Sequence, residues 1–263
     1  MFPYRDDNPT VITPWVTIGI ITLATLVWII VQGAGGQPAL AKSVCELGAI
    51  PGELLRRLPQ VVSIPLGPGL SCEVGGAPSW YTVITSVFLH GGWFHLIGNM
   101  WFLWVFGNNV EDSMGHARFA AFYLICGVLA ALAQIVGSPN SPVPMVGASG
   151  AISGVMGAYL VLYPRVRVHM LVFFGFWITT VAVPAYLMLF YWAFLQLLGS
   201  LPALASNAQG SGGVAFLAHL GGFAAGAALI KLFAKPELVA AHRRVTGGQV
   251  FNEPWERGSG SWE

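Results

Sequence analysis

Three short strings hold the side chains able to do chemistry. Gly147-Ala148-Ser149-Gly150 sets a hydroxyl where a polar loop, 137–144, gives way to an apolar run. Pro139, Pro142 and Pro144 fix φ and remove N–H donors, so that loop is not a regular helix. Ser149 is therefore expected at a helix N-terminus, where free N–H groups and the positive dipole end face an anion. A second string, Ala218-His219-Leu220-Gly221-Gly222, sets an imidazole deep in another apolar stretch. A serine at a helix start and a buried histidine are the minimum parts of a nucleophile and its base. The third string, 90–100, holds His95 and Asn99 four residues apart, so both lie on one helix face. With the Ser149 N–H they form a candidate oxyanion site, each such donor being typically worth about 2.7–4 kcal/mol in the transition state. No carboxylate lies in an outer half-span from which it could orient His219, so the reading is a Ser–His dyad. No His, Cys and carboxylate cluster has metal-ligand spacing, so no metal or other cofactor is expected.

Each feature also has a purely structural reading. Gly-x-Ser-Gly in an apolar chain serves tight helix packing, and an intramembrane histidine often bonds a backbone carbonyl. Gly150 with Gly154, Ser153 with Gly157, and Gly222 with Gly226 form small-xxx-small pairs that let helices approach closely. Packing through these faces would itself bring Ser149 to His219, so Gly147, Gly150, Gly222 and Gly226 are read as supporting residues. His90 is expected to satisfy backbone groups; His116, His169 and His242 read as surface residues. Trp93, Trp101 and Trp104 read as packing and interface anchors. Glu111-Asp112 marks the end of a span, and Cys126 a small core hydrophobe.

Positioning elements follow from composition. The 263 residues are 55% hydrophobic and 9% charged, against about 25% charged in a soluble domain. Net charge is +1, which points away from nucleic acid. Apolar runs at 14–32, 92–110, 118–136, 149–163, 180–198 and 214–233 predict an all-α polytopic membrane protein with six transmembrane helices. The fourth run is short, about 15 residues rising about 22 Å, which would leave Ser149 below the membrane surface. Nine Lys and Arg fall on one side (Arg5, Arg118, Arg165, Arg167, Lys231, Lys235, Arg243, Arg244, Arg257) and three on the other (Lys42, Arg56, Arg57). That asymmetry puts both termini in the cytoplasm and the site on the outer side.

The domain reading is a cytoplasmic segment, 1–13, a six-helix membrane domain, 14–235, and a cytoplasmic tail, 236–263. The long exported loop, 33–90, holds Cys45 and Cys72, expected to pair because disulfides persist outside the cytoplasm. In that loop 53–58 is either a short amphipathic helix on the membrane or a solvated turn.

The strings occur in order on the second, fourth and sixth spans: His-x4-His-x3-Asn, Gly-x-Ser-Gly, then Ala-His-x2-Gly-x3-Gly. In these motifs, over roughly residues 80 to 230, the sequence resembles the rhomboid family of intramembrane serine proteases, bacterial type. The segment Gly107 to Gly115 is also similar to the family's connection between its second and third spans. The resemblance implies a six-helix rhomboid-like bundle in an inner membrane, opening to the periplasmic side, and cleavage of transmembrane protein substrates without metal or cofactor. It implies Ser149 as nucleophile, His219 as base, and His95 and Asn99 as oxyanion side chains. Ser153 departs from the pattern: some members carry an aromatic residue there, under the histidine ring. The Trp-Arg dipeptide of some relatives' first loop is absent.

The function expected is thus a serine endopeptidase cutting substrates in or near their membrane segments. The alternative is a non-catalytic rhomboid-like protein that binds membrane helices. A small-solute transporter is disfavoured, since neither a broken-helix repeat nor an intramembrane charge is evident.

Overall fold

The computed structural model describes residues 2–58, 60–67, 69–174, 177–206 and 215–245. Along the chain run β1 (Phe2–Asp6), α1 (Trp15–Leu26), α2 (Ala39–Leu47), α3 (Pro51–Leu54), β2 (Val62–Gly67), β3 (Leu70–Val74), α4 (Thr82–Thr85), α5 (Trp93–Met114) and α6 (His116–Gly137). Then come α7 (Ser149–Leu162), β4 (Arg167–Phe174), β5 (Trp177–Pro184), α8 (Ala185–Ser206), α9 (Phe216–Phe233) and α10 (Pro236–Val245). The fold is mostly helical. On length and composition, α6 and α9 suffice to cross a bilayer; Trp15–Val31, Ser149–Leu162 and Ala185–Leu201 are shorter apolar helices.

Helix ends follow from local chemistry. Gly115, at φ +78, closes α5 with its N–H on the Glu111 carbonyl, and α6 starts at the next residue. Positive φ there suits glycine, so the chain reverses in one residue. Glu111 is fully buried and caps the start of α1, accepting from the Val16 and Thr17 N–H groups and the Thr17 hydroxyl at 2.7–2.9 Å. Asp112 accepts from the N–H groups of Val11 and Ile12. A carboxylate at a helix start complements its dipole, so this pair, in the last turn of α5, also anchors the N-terminal segment.

The core lies between α5, α6, α7 and α9, filled by Leu103, Phe106, Phe119, Phe122, Tyr159 and their neighbours. Its closest approach is α7 against α9. A Cβ on Gly222 would overlap the Gly150 carbonyl oxygen, one on Gly226 the Gly154 carbonyl oxygen, and one on Gly157 the Phe223 carbonyl oxygen. The backbones therefore touch directly, which only glycine permits at those points.

The structure departs from the expectations at several points. The chain is not all-α: β1, β4 and β5 form an antiparallel sheet in that spatial order, and β2 and β3 a hairpin. The run at 180–198 opens in β5, and its helix begins only at Ala185 and continues to Ser206. Residues 177–184 are rich in β-branched side chains and end in Pro184, which suits a strand running into a helix. Of the two readings of 53–58 the turn holds: α3 ends at Leu54 and the chain turns through Arg56, at φ +53. Residues after Lys235 form α10, and His242 is buried with its ring donating to the Pro9 carbonyl. The rest of the tail, with Arg257, lies outside the described residues. His116 is exposed as expected, with its ring 2.6 Å from buried Glu111.

Candidate active site

The loop before α7 is held from the 33–90 segment. Met145 and Ala49 exchange backbone hydrogen bonds, Gly52 donates to the Ser141 carbonyl, and Gly147 donates to the Ser86 carbonyl. Cys45 of α2 and Cys72 of β3 are joined by a disulfide beneath this contact, packed with Ile50 and Val74. Ser149 is the first residue of α7.

Tight packing of α7 on α9 brings Ser149 to His219. Ser149 Oγ lies 2.7 Å from His219 Nε2. On the other side of the ring, His219 Nδ1 lies 2.7 Å from Gln196 Oε1 of α8. An amide oxygen only accepts, so Nδ1 carries the proton and the Nε2 lone pair faces the serine hydroxyl. Gln134 of α6 holds the start of α9, accepting from the Ala218 N–H at 3.2 Å. Both Ser149 and His219 are partly buried.

His95 approaches from α5. Its Nδ1 accepts from the Gly91 N–H at 3.2 Å, which leaves the ring proton on Nε2. A Cβ on Gly147 would stand 2.8 Å from His95 Nε2 and 3.5 Å from Ser149 Oγ, and Gly147 itself has φ +132. Glycine is needed here twice, for its φ and to keep open the space between imidazole and serine. Asn99, one turn along α5, is 8% exposed, and its Nδ2 has no partner among the described residues. A buried N–H group without a partner is costly and invites a ligand atom.

His90 supports this corner. Its backbone N–H and carbonyl pair with the Gln32 amide at 2.8 Å each, and its ring meets the His95 ring edge-on at 5.2 Å. Burial pushes its imidazole down to about 3, helped by neighbouring His95, so it stays neutral. Its backbone, not its ring, matches the expected role. Ser153 donates to the Ser149 carbonyl at 2.6 Å. Trp192 of α8 approaches the His219 ring, centroids 6.0 Å apart.

Gln196 and Trp192 were not singled out from the sequence. An amide and an indole in an apolar run carry no spacing relation to a histidine 23 or more residues later. The one available signal was that an amide inside such a run needs a partner.

Residues 77–236 match the rhomboid domain. The chain is 42% identical over 81 residues to the rhomboid protease GluP of Bacillus subtilis, covering 31% of this chain and 15% of that protein. It is 42% identical over 77 residues to the chloroplastic Rhomboid-like protein 11 of Arabidopsis thaliana, 29% of this chain and 27% of that one. To the mitochondrial RHOMBOID-like protein 6 of Arabidopsis thaliana it is 32% identical over 161 residues, 56% of this chain and 51% of the relative. The chain thus spans about half or less of these relatives' lengths. The domain match covers more than half of the chain, and with its apolar helices it makes this an integral membrane protein that belongs to the rhomboid family.

Proposed function

We propose that this chain is an intramembrane serine endopeptidase, with Ser149 as nucleophile and His219 as general base, acting on transmembrane protein substrates. The observation that carries the reading is the 2.7 Å approach of Ser149 Oγ to the free lone pair of His219 Nε2. As Oγ attacks the substrate carbonyl carbon, Nε2 takes its proton and the carbonyl oxygen becomes an oxyanion. His95 Nε2–H, the Asn99 amide and the free N–H groups opening α7 are the donors for that charge. The C–N bond then breaks, and the imidazolium gives its proton to the leaving amine. Water enters, loses a proton to His219 and hydrolyses the acyl ester, which restores the serine.

In this reading α1, α5, α6, α7, α8 and α9 all cross the membrane, with both termini cytoplasmic and the site opening outward. The Lys and Arg asymmetry supports that orientation. So does the Cys45–Cys72 pair in the 33–90 segment, since disulfides belong to oxidising compartments. With 14 residues, α7 rises about 21 Å, short of a bilayer's hydrocarbon core of about 30 Å. A helical peptide bond is shielded, so substrates with Gly, Pro or other weak helix formers near the cut are favoured.

A fluorophosphonate probe tests the nucleophile. The adduct is expected on Ser149 by peptide mass spectrometry, absent from Ser149→Ala and strongly slowed in His219→Ala. No adduct on the folded wild type favours the non-catalytic, helix-binding reading.

A further inference from the structure

We infer that Gln196 orients His219, so that an amide on α8 occupies the place a carboxylate holds in a catalytic triad. This rests on the protease reading of Ser149 and His219. The geometry is direct: Gln196 Oε1 lies 2.7 Å from His219 Nδ1, opposite the 2.7 Å approach of Ser149 Oγ to Nε2. A neutral imidazole is a base on one nitrogen only. With Nδ1–H bonded to the amide oxygen, the basic nitrogen is the one facing serine. Were the proton on Nε2 instead, the ring could not accept the serine proton.

A second contact comes from the same helix. Trp192 and Gln196 are one turn apart on α8 and both reach the His219 ring, with Trp192 also packing on Phe223 of α9. The ring is therefore held at one nitrogen by Gln196 and along its side by Trp192. Nothing comparable comes from α7, where the Ser153 hydroxyl is bonded to the Ser149 carbonyl. A carboxylate would also stabilise the imidazolium by charge; a neutral amide supplies direction alone and avoids placing an ion inside the bundle. Gln196 does not touch the reacting atoms and is a positioning residue.

The test measures cleavage kinetics of the full chain in detergent for wild type, Gln196→Leu, Gln196→Met, Gln196→Glu and Ser149→Ala, with thermal unfolding as the folding check. Leu and Met remove the acceptor at similar volume, and whichever folds should lose about tenfold in kcat with little change in KM. An ionised Glu only accepts, so it should restore turnover and, by its charge, move the acid limb of the kcat/KM profile to higher pH by about one unit. His95 is the other titratable group acting on His219, and it is unchanged in all five proteins. Wild-type kcat in folded Leu or Met variants overturns the inference, as does a Glu variant as slow as Leu with an unshifted profile. Cleavage by Ser149→Ala at the wild-type rate is a separate result that overturns the underlying protease reading.

Discussion

Asn99 is the sharpest test of the oxyanion site at the level of single residues. Its buried Nδ2 has no partner among the described residues, and a donor aimed at charge that forms only in the transition state should affect turnover more than binding. Asn99→Ala is expected to lower kcat by up to about 10²–10³ while KM moves less, the loss being smaller if His95 and the α7 N–H groups compensate. Unchanged turnover in a folded variant would remove Asn99 from the site. Ser149 and His219 were legible in the sequence because a nucleophile type at a helix start and an imidazole in an apolar run both stand out chemically. Gln196 was not, because its partner is set by how α8 packs on α9, a relation no local spacing encodes.

Contacts between elements make two further predictions. The α7–α9 seam has no room for a side chain at Gly226. Gly226→Ala should lower stability by about 1–3 kcal/mol through overpacking, read as a fall in Tm. Gly19→Ala on α1 meets nothing within 4 Å and should be neutral or stabilising, by up to about 1 kcal/mol of helix propensity. Equal Tm values for the two variants would contradict the seam. The second prediction concerns β1, which lies along β4 and sets Asp6 against α7, where the Tyr159 hydroxyl donates to it. Burial raises the Asp6 carboxyl to about 7, opposed in part by the Tyr159 bond. The folded state therefore holds a proton there that the unfolded chain loses near pH 3.8. Its contribution to stability is complete below that pH and declines as pH rises towards about 7. Asp6→Asn should remove this decline from the pH dependence of Tm; an unchanged dependence would contradict it. Helices were the legible elements, since their apolar runs are long. The β4–β5 hairpin was hidden because β5 and the start of α8 form one largely apolar run, and β5 is exposed on both faces, so no in–out alternation marks it as a strand.

At the scale of the whole molecule, the 33–90 segment is built as a brace for the loop that presents Ser149. Its hydrogen bonds to Ser141 and Met145 come from Gly52 and Ala49, inside the loop that the Cys45–Cys72 bridge closes, and the one to Gly147 comes from Ser86 beyond it. The bridge spans a sequence separation of 27, worth about 3–4 kcal/mol in the chain-entropy model. Cys45→Ser with Cys72→Ser should lower Tm and turnover together, and thiol labelling of the oxidised, unfolded wild type should find Cys126 alone. Three labelled thiols would rule the bridge out. The sequence pointed to this pairing through compartment alone; how the bridged segment reaches the catalytic loop depends on long-range backbone contacts and could not be read from it. The central claim is that Ser149, activated by His219, hydrolyses a peptide bond of a transmembrane substrate. Its most direct measurement is cleavage of a purified single-span substrate by the full chain in liposomes, wild type beside Ser149→Ala and His219→Ala, with products identified by mass. One cut in or near the substrate's membrane segment by wild type, and none by either variant, is the predicted result. Cleavage that survives in folded Ser149→Ala would contradict it.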